Sequence, residues 1–313
     1  MAKKEVKRRT ASASRAKKSP SKTKPVIAAE LARDVAQRLT SSRVTFAHGT
    51  TDAVAEAAFI IGETLGRHPD HIETTDRVTA AQVARIRALV GARITTRKPA
   101  AYLLNKIYMR GVPFYIDERA IVPRSYIGEL LDERFANDAG LLDPAKVTRV
   151  LDLCTGSGCL AILAARAFPN ATIDAVELSI DALDVARRNV GDHKLADRIT
   201  LYQGDLFAPL PDAKYDLIIT NPPYVDAEGM VKLPRECLHE PPMAFDGGAD
   251  GIAIVRRIID SAPRWLAAGG GLLCEVGRCK PQLEHAYPRT PFLWLDTEES
   301  EGEVFWLPAT EPL

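Results

Sequence analysis

From Thr148 onward, short apolar runs alternate with longer helical patterns, and that alternation leaves the chain few folds to choose from. The order is RVLDLC strand, GCLAILAARAF helix, TIDAVEL strand, SIDALDVARRNV helix, then the strands RITLYQGD and YDLIITNPPY, the helix GIAIVRRIIDSAPRWLAAG and the strand GLLCEV. Units of this length predict an α/β architecture, a mainly parallel sheet with helices on both faces. The last candidate strands, FLWLD and EVFWL, are joined by a short acidic loop and predict an antiparallel pair at the end of the sheet. Ligands of such sheets bind outside the carboxyl ends of the strands, so the residues that close each strand are the candidates for chemistry.

Ahead of this region, residues 26–108 read as a small helical domain. In VIAAELARDVAQRL, Ile27, Leu31, Val35 and Leu39 recur on one face. DAVAEAAFIIGETLG runs from an acidic start at Asp52 to a glycine stop at Gly66, and TAAQVARIRALVGARI opens with the capping-box spacing Thr79 to Gln82. KPAAYLLNKI gives a short fourth helix. The bundle carries no chemical constellation, so it is either a substrate-recognition domain or a structural cap. Residues 109–124 read as a linker, because the β-branched and aromatic residues in MRGVPFYIDERAIVP predict two short strands or a hairpin. Residues 125–313, opening with the helical SYIGELLDERFAND, form the third unit. Asp117-Glu118-Arg119 and Pro123-Arg124-Ser125 lie at the join, from which they can reach a protein docked across both parts.

The formal charge of zero hides a division within the chain. Residues 1–25 hold ten Lys or Arg against Glu5 alone, a balance of +9, which leaves 31 basic against 40 acidic residues, or −9, in the rest. The tail lacks apolar side chains to bury and repels itself, so it is expected to be disordered, serving either as a weak RNA contact through phosphates or as a solubilising extension. No apolar run is long enough to span a membrane and no signal peptide is apparent, which predicts a cytoplasmic protein. Five cysteines without Cys-x-x-Cys spacing, and histidines without His-x-x-x-His spacing, predict reduced thiols and no metal.

The first motif is LDLCTGSGCLA, where a buried strand runs into a helix through Gly156 and Gly158. Glycine permits the sharp turn and brings backbone amides to a ligand at the helix start. The last glycine of a dinucleotide fingerprint is replaced by Cys159 or Leu160, which argues against a pyrophosphate. S-adenosylmethionine carries no phosphate, and a shorter loop with Asp152, Thr155, Gly156 and Gly158 suffices for it. The second strand ends in Glu177, an acid that can accept both hydroxyls of a ribose, with Leu178 beside it and Ser179 placed to cap the next helix. The third ends in Asp205, a candidate acceptor for an adenine amino group, with Leu206 or Phe207 against the ring.

The fourth ends in Asn221-Pro222-Pro223-Tyr224, the candidate catalytic set, in which Asn221 also borders the cofactor. Two prolines cannot donate backbone hydrogen bonds, so the chain leaves the sheet with a carbonyl free to accept one. An amide nitrogen has its lone pair delocalised into its carbonyl. The Asn221 oxygen and the Pro222 carbonyl can each accept one of its N–H bonds, drawing the nitrogen toward tetrahedral geometry, while Tyr224 offers an aromatic face to the planar group.

The ordered set LDLCTGSGCLA, AVELS, QGDLF and NPPYV resembles the protein-glutamine N-methyltransferases related to the release-factor enzymes. That resemblance covers nearly everything after the basic tail. It implies a seven-stranded, Rossmann-like S-adenosylmethionine methyltransferase domain preceded by a helical domain and a hairpin linker, with Asn221 and the following proline carbonyl on the glutamine side chain. The stretch AAYLLNKIYMRGVPFYIDERAIVPRSYIGELL is similar to the branch that acts on large-subunit ribosomal protein L-three. The release-factor branch has a Pro-Arg-Pro-Asp-Thr-Glu type of sequence where this chain has Pro123-Arg124-Ser125-Tyr126-Ile127. Methylation of a glutamine N5 in ribosomal protein L-three is therefore the expected activity, and methylation of release factors the alternative. An adenine-N6 methyltransferase of nucleic acid shares the Asn-Pro-Pro-Tyr chemistry, but it must grip phosphates, and the acidic body disfavours that. A nonenzymatic ribosome assembly factor would show no methyl transfer.

Overall fold

The computed structural model describes residues 26–135, 141–298 and 300–309. The basic segment 1–25 and the RNA arm expected there lie outside the described residues. In the helical part, β1 (Val26–Ile27) leads into α1 (Ala28–Ser41), which buries Leu31, Val35 and Leu39 of the expected face together with Ala28, whereas Ile27 lies in β1 and is half-buried. Helix α2 (Ala53–Leu65) starts where the Asp52 carboxylate accepts hydrogen bonds from the amides of Val54 and Ala55 at 2.7 and 2.8 Å, and stops at left-handed Gly66. Strand β2 (Arg77–Val78) pairs with β1, and α3 (Ala80–Thr96) opens with the complete Thr79–Gln82 capping box.

Helix α4 (Ala100–Leu104) is shorter than KPAAYLLNKI suggests, because left-handed Asn105 ends it and releases the chain into β3 (Ile107–Met109). Arg110 and Gly111, both at positive φ, make the two-residue turn to β4 (Val112–Phe114), so the hairpin is complete before Tyr115 and residues 115–123 add no strand. Helix α5 (Ile127–Leu130) runs on as a π-helical turn over Leu131–Phe135.

The second part is a seven-stranded sheet with α6 (Cys159–Ala167), α7 (Ile180–Asp192), α8 (Ala227–Val231), α9 (Ala253–Trp265) and α10 (Lys280–Ala286) around it. Its strands are β5 (Arg149–Leu153), β6 (Thr172–Glu177), β7 (Ile199–Gln203), β8 (Tyr215–Thr220), β9 (Leu266–Glu275), β10 (Leu293–Leu295) and β11 (Val304–Pro308), in the spatial order β10-β11-β9-β8-β5-β6-β7. The five strands β5 to β9 are parallel, and β11 runs antiparallel between β9 and β10, as the closing FLWLD and EVFWL pair predicts. Burial alternates with period two: Val150, Leu217, Ile219 and Leu273 face the core shared with the helical part and α6, while Leu151, Ile218 and Leu272 face Val255 and Ile258 of α9. A one-residue slip would exchange the two faces, so this pattern fixes the register.

One expectation fails at α9. Residues 266–269, read as its last turn, begin β9, since Pro263 removes a helical donor and the helix ends two residues later. Chain order reverses around β5, which has β6 on one side and β8 on the other, and the crevice at their carboxyl ends is where a ligand of such a sheet sits.

The helical part is bolted to the sheet part beyond Tyr224, at residues 236–239. Arg93 of α3 is wholly buried; its Nε donates to Glu56 at 2.9 Å and its Nη1 to Glu236 at 3.4 Å. Three residues on, His239 Nε2 meets the Thr96 carbonyl at 2.8 Å.

Candidate active site

Strand β5 leaves the sheet through Cys154 and Gly156, both at positive φ, and enters α6 after Gly158, also at positive φ. A Cβ on Gly158 would stand 3.2 Å from the Ala186 Cβ, so glycine here lets α7 close on the loop. Beneath the loop, Asp152 is fully buried and its Oδ2 accepts the Thr155 hydroxyl, while Oδ1 has no partner. Burial pushes its carboxyl up to about 7. Asp152 borders neither of the cavities described below, so it holds the loop from underneath.

Glu177, at the end of β6, accepts the Gly156 amide at 2.8 Å on one oxygen and the Ser179 amide at 2.9 Å on the other. Each oxygen keeps a lone pair for a ligand, and burial raises the carboxyl above its ordinary range. Ser179 caps α7 through the Ala182 amide at 3.3 Å, as its position predicts. Beyond β7, Asp205 accepts Arg257 Nη2 at 2.6 Å on Oδ2. Leu206 lines the cavity, whereas Phe207 turns away to stack on Trp265, with centroids 5.4 Å apart.

At the end of β8, Asn221 Nδ2 donates to the Arg124 carbonyl at 3.0 Å. A carbonyl only accepts, so the NH2 end of the amide must face it, and Oδ1 is the end left to accept from a ligand. Tyr224 donates to Glu275 Oε1 at 3.2 Å, and Glu275 Oε2 accepts the Ser125 hydroxyl at 2.7 Å and the Tyr126 amide at 3.0 Å. Gly277, at positive φ, passes so close to the Tyr224 ring that a Cβ there would lie 2.6 Å from it. The ring is thereby fixed from behind.

Two cavities meet at these residues. One of about 300 Å3 is lined by Gly156, Glu177, Leu178, Asp205, Leu206 and Pro223, among others. The other, about 290 Å3, is lined by Thr155, Pro222, Tyr224, Arg124 and Ser125 with others, and the two share Ile121, Cys154, Gly156, Asn221 and Ala244. Two binding volumes with one amide at the junction suit a reaction between two bound molecules. Of the cofactor and catalytic candidates read from the sequence, all but Asp152, Gly158 and Phe207 border these cavities. Sequence reasoning missed Glu275, Glu240 and His48; Glu275 was findable, since it is an acid closing a buried strand, the signal used for Glu177.

Residues 139–240 match the family described as methyltransferase small domain. A protein of Bradyrhizobium diazoefficiens named ribosomal protein uL3 glutamine methyltransferase is 62% identical over 280 residues, covering 88% of each chain. The chain belongs to this methyltransferase family. A relative of the same name from Bordetella pertussis is 47% identical over 280 residues, covering 89% of this chain and 93% of its own. Among solved structures, a methyltransferase from Pyrococcus furiosus is similar over 74% of this chain and 98% of its own, at 14% identity and a TM-score of 0.47. The methyl donor is S-adenosylmethionine. The first cavity fits it: Glu177 offers two carboxylate oxygens to hydroxyls, Asp205 keeps Oδ1 beside its pair with Arg257, and Leu206 supplies an apolar wall.

The six linker residues expected to reach a docked protein are largely engaged within the chain. Asp117 pairs with Arg119, Glu118 with Lys98, Arg124 with Glu240 and Ser125 with Glu275. No helix among the described residues is long and apolar enough to cross a membrane.

Proposed function

We propose that this enzyme methylates the side-chain amide nitrogen of a glutamine in ribosomal protein uL3, with Asn221 holding the amide where the two cavities meet. The supporting observation is the pinned Asn221 side chain, whose NH2 end is occupied by Arg124 and whose oxygen is left for the substrate. Bound S-adenosylmethionine supplies the electrophilic methyl group. In this reading Glu177 holds the ribose hydroxyls and Asp205 the adenine amino group, with Leu178 and Leu206 against the adenosine and the Thr155 to Gly158 loop beside the amino-acid portion. Asn221 Oδ1 and the Pro222 carbonyl each accept one amide N–H, Pro223 stiffens the exit from β8, and Tyr224 covers the planar group. No strong base is needed at the start, since the nitrogen's proton becomes acidic only as the methyl bond forms.

The helical residues 26–108, in this reading, recognise the substrate, 109–124 link, and 125–313 perform the transfer. The basic segment 1–25 adds a weak RNA contact, and five unpaired cysteines match the reducing cytoplasm. The test offers unmodified uL3 and an unmodified release factor at equal concentration with labelled S-adenosylmethionine. Faster initial methylation of uL3, located to a glutamine by peptide mass, is expected; faster methylation of the release factor moves the enzyme to the sister activity.

A further inference from the structure

The carbonyl that pins Asn221 belongs to Arg124, and the side chain of that same residue is held in turn. Arg124 Nη1 and Nη2 grip Glu240 Oε1 and Oε2, each at 3.0 Å, in a two-pronged ion pair, and Nη1 also meets the Val122 carbonyl at 3.1 Å. Its guanidinium lies over the Phe245 ring, 5.5 Å from the centroid. Glu240 is 3% exposed and has no oxygen to spare: Oε1 also accepts the Val122 amide at 2.9 Å, and Oε2 lies 3.1 Å from His48 Nε2. Burial pushes the Glu240 carboxyl up, but His48 and Arg124 outweigh it and hold the group below its ordinary range, ionised.

His48 comes from the loop between α1 and α2, and Glu240 from the segment after Tyr224, so this grip spans both parts of the chain. With a carboxylate facing Nε2, that nitrogen carries the ring proton. His48, Cys237 and Glu240 are also metal-ligand types within 4.8 Å of one another. However, every Glu240 lone pair is already matched to Val122, Arg124 or His48, and a guanidinium stands against the carboxylate. Ionised Glu240 and the Arg124 guanidinium balance each other's charge, so the carboxylate already has its counter-ion.

Resting on the glutamine-methylation reading above, we propose that Glu240 is a positioning residue for methyl transfer: by gripping the Arg124 guanidinium it fixes the Arg124 carbonyl, and so the one orientation of the Asn221 amide that presents Oδ1 to the acceptor nitrogen. The residue touches neither substrate nor cofactor. It acts through two links, Glu240 to Arg124 and Arg124 to Asn221, and each is short enough to transmit a displacement of a few tenths of an ångström. An Asn221 amide released from its carbonyl can rotate and offer NH2 where an acceptor is needed, and two donors then face each other.

The experiment uses the full chain with uL3 as substrate and reads kcat, KM, the S-adenosylmethionine dissociation constant and the side-chain amide resonances of Asn221 in protein labelled at asparagine. Glu240→Gln is expected to lower kcat about 10- to 100-fold, the upper figure being the cost of misplacing a reacting group by about 1 Å. The uL3 KM and the cofactor dissociation constant are expected to stay within about twofold of the parent, the pattern of an interaction that matters only in the transition state. The Asn221 amide resonances shift as the bond to Arg124 is lost. Where Glu240→Gln does not fold, Arg124→Lys carries the same expectations, since an ammonium keeps the charge but not the two-pronged grip. A folded variant with unchanged kcat, or with its loss confined to KM or cofactor affinity, overturns the proposal. If the parent itself transfers no methyl group to uL3, the functional reading fails, and the Asn221 resonances then decide the positioning link by themselves.

Discussion

Glu275 closes β9 in full burial, 1% exposed, against Tyr224. Burial, opposed by the hydrogen bonds from Ser125, Tyr126 and Tyr224, pushes its carboxyl up from 4.5 to about 7. Between those values the folded protein keeps a proton that the unfolded chain has released. Stability therefore falls as pH rises through that window, and the loss is complete above about pH 7. At about 1.4 kcal/mol for each pH unit, the ionised carboxylate costs about 3 kcal/mol. Glu275→Gln resembles the protonated acid in shape and can still accept from Ser125 and Tyr126. It is therefore expected to match the parent at about pH 4 and to gain up to about 3 kcal/mol on it by about pH 8, as read by urea unfolding. Asp152, with its carboxyl also near 7, titrates in both proteins and cancels from the difference. Stability curves that stay parallel across that range would refute the reasoning.

Three further outcomes are expected. Glu177→Ala weakens S-adenosylmethionine binding by about 1 to 3 kcal/mol, the worth of hydrogen bonds to a charged acceptor, and an unchanged calorimetric dissociation constant would assign Glu177 to the loop alone. Arg93→Met leaves Glu56 and Glu236 without their buried partner and costs about 3 to 5 kcal/mol in urea unfolding; a loss under about 1 kcal/mol would show that the join does not depend on that pair. Deleting residues 1–25 leaves the melting temperature and cofactor affinity unchanged but weakens RNA binding in a way that fades with added salt, and RNA affinity that ignores both deletion and salt removes the tail's proposed role.

Much of the architecture was legible because local rules and tertiary packing agree. The Asp52 and Thr79 starts, the Gly66 stop and the two-residue alternation in β5 and β8 each follow from chemistry within a few residues. Glu177, Asp205 and Asn221 were legible for a related reason: in a parallel sheet, the residue that closes a strand faces the crevice. Where a tertiary contact competes with local pattern, legibility ends. Residues 266–269 extend the apolar helical pattern of α9, yet they begin β9 because Leu266 pairs with Tyr215 across the sheet. Glu240, His48 and the partners of Arg124 escaped because hydrophobic period and motif spacing carry no information about residues 116 and 97 positions apart, such as Arg124 with Glu240 and with Asn221. Arg124 was read as reaching outward to a docked protein, and its side chain turns inward to Glu240 instead.

The central claim is that Asn221 addresses the acceptor amide and not the cofactor. The direct measurement pairs calorimetry of S-adenosylmethionine binding with mass analysis of uL3 after incubation with the parent or with Asn221→Ala. The parent is expected to add one methyl group to a uL3 glutamine. The variant is expected to bind S-adenosylmethionine with an affinity close to the parent's while the added methyl group disappears. Near-normal methylation by Asn221→Ala, or a loss of methylation explained entirely by lost cofactor binding, would contradict the account.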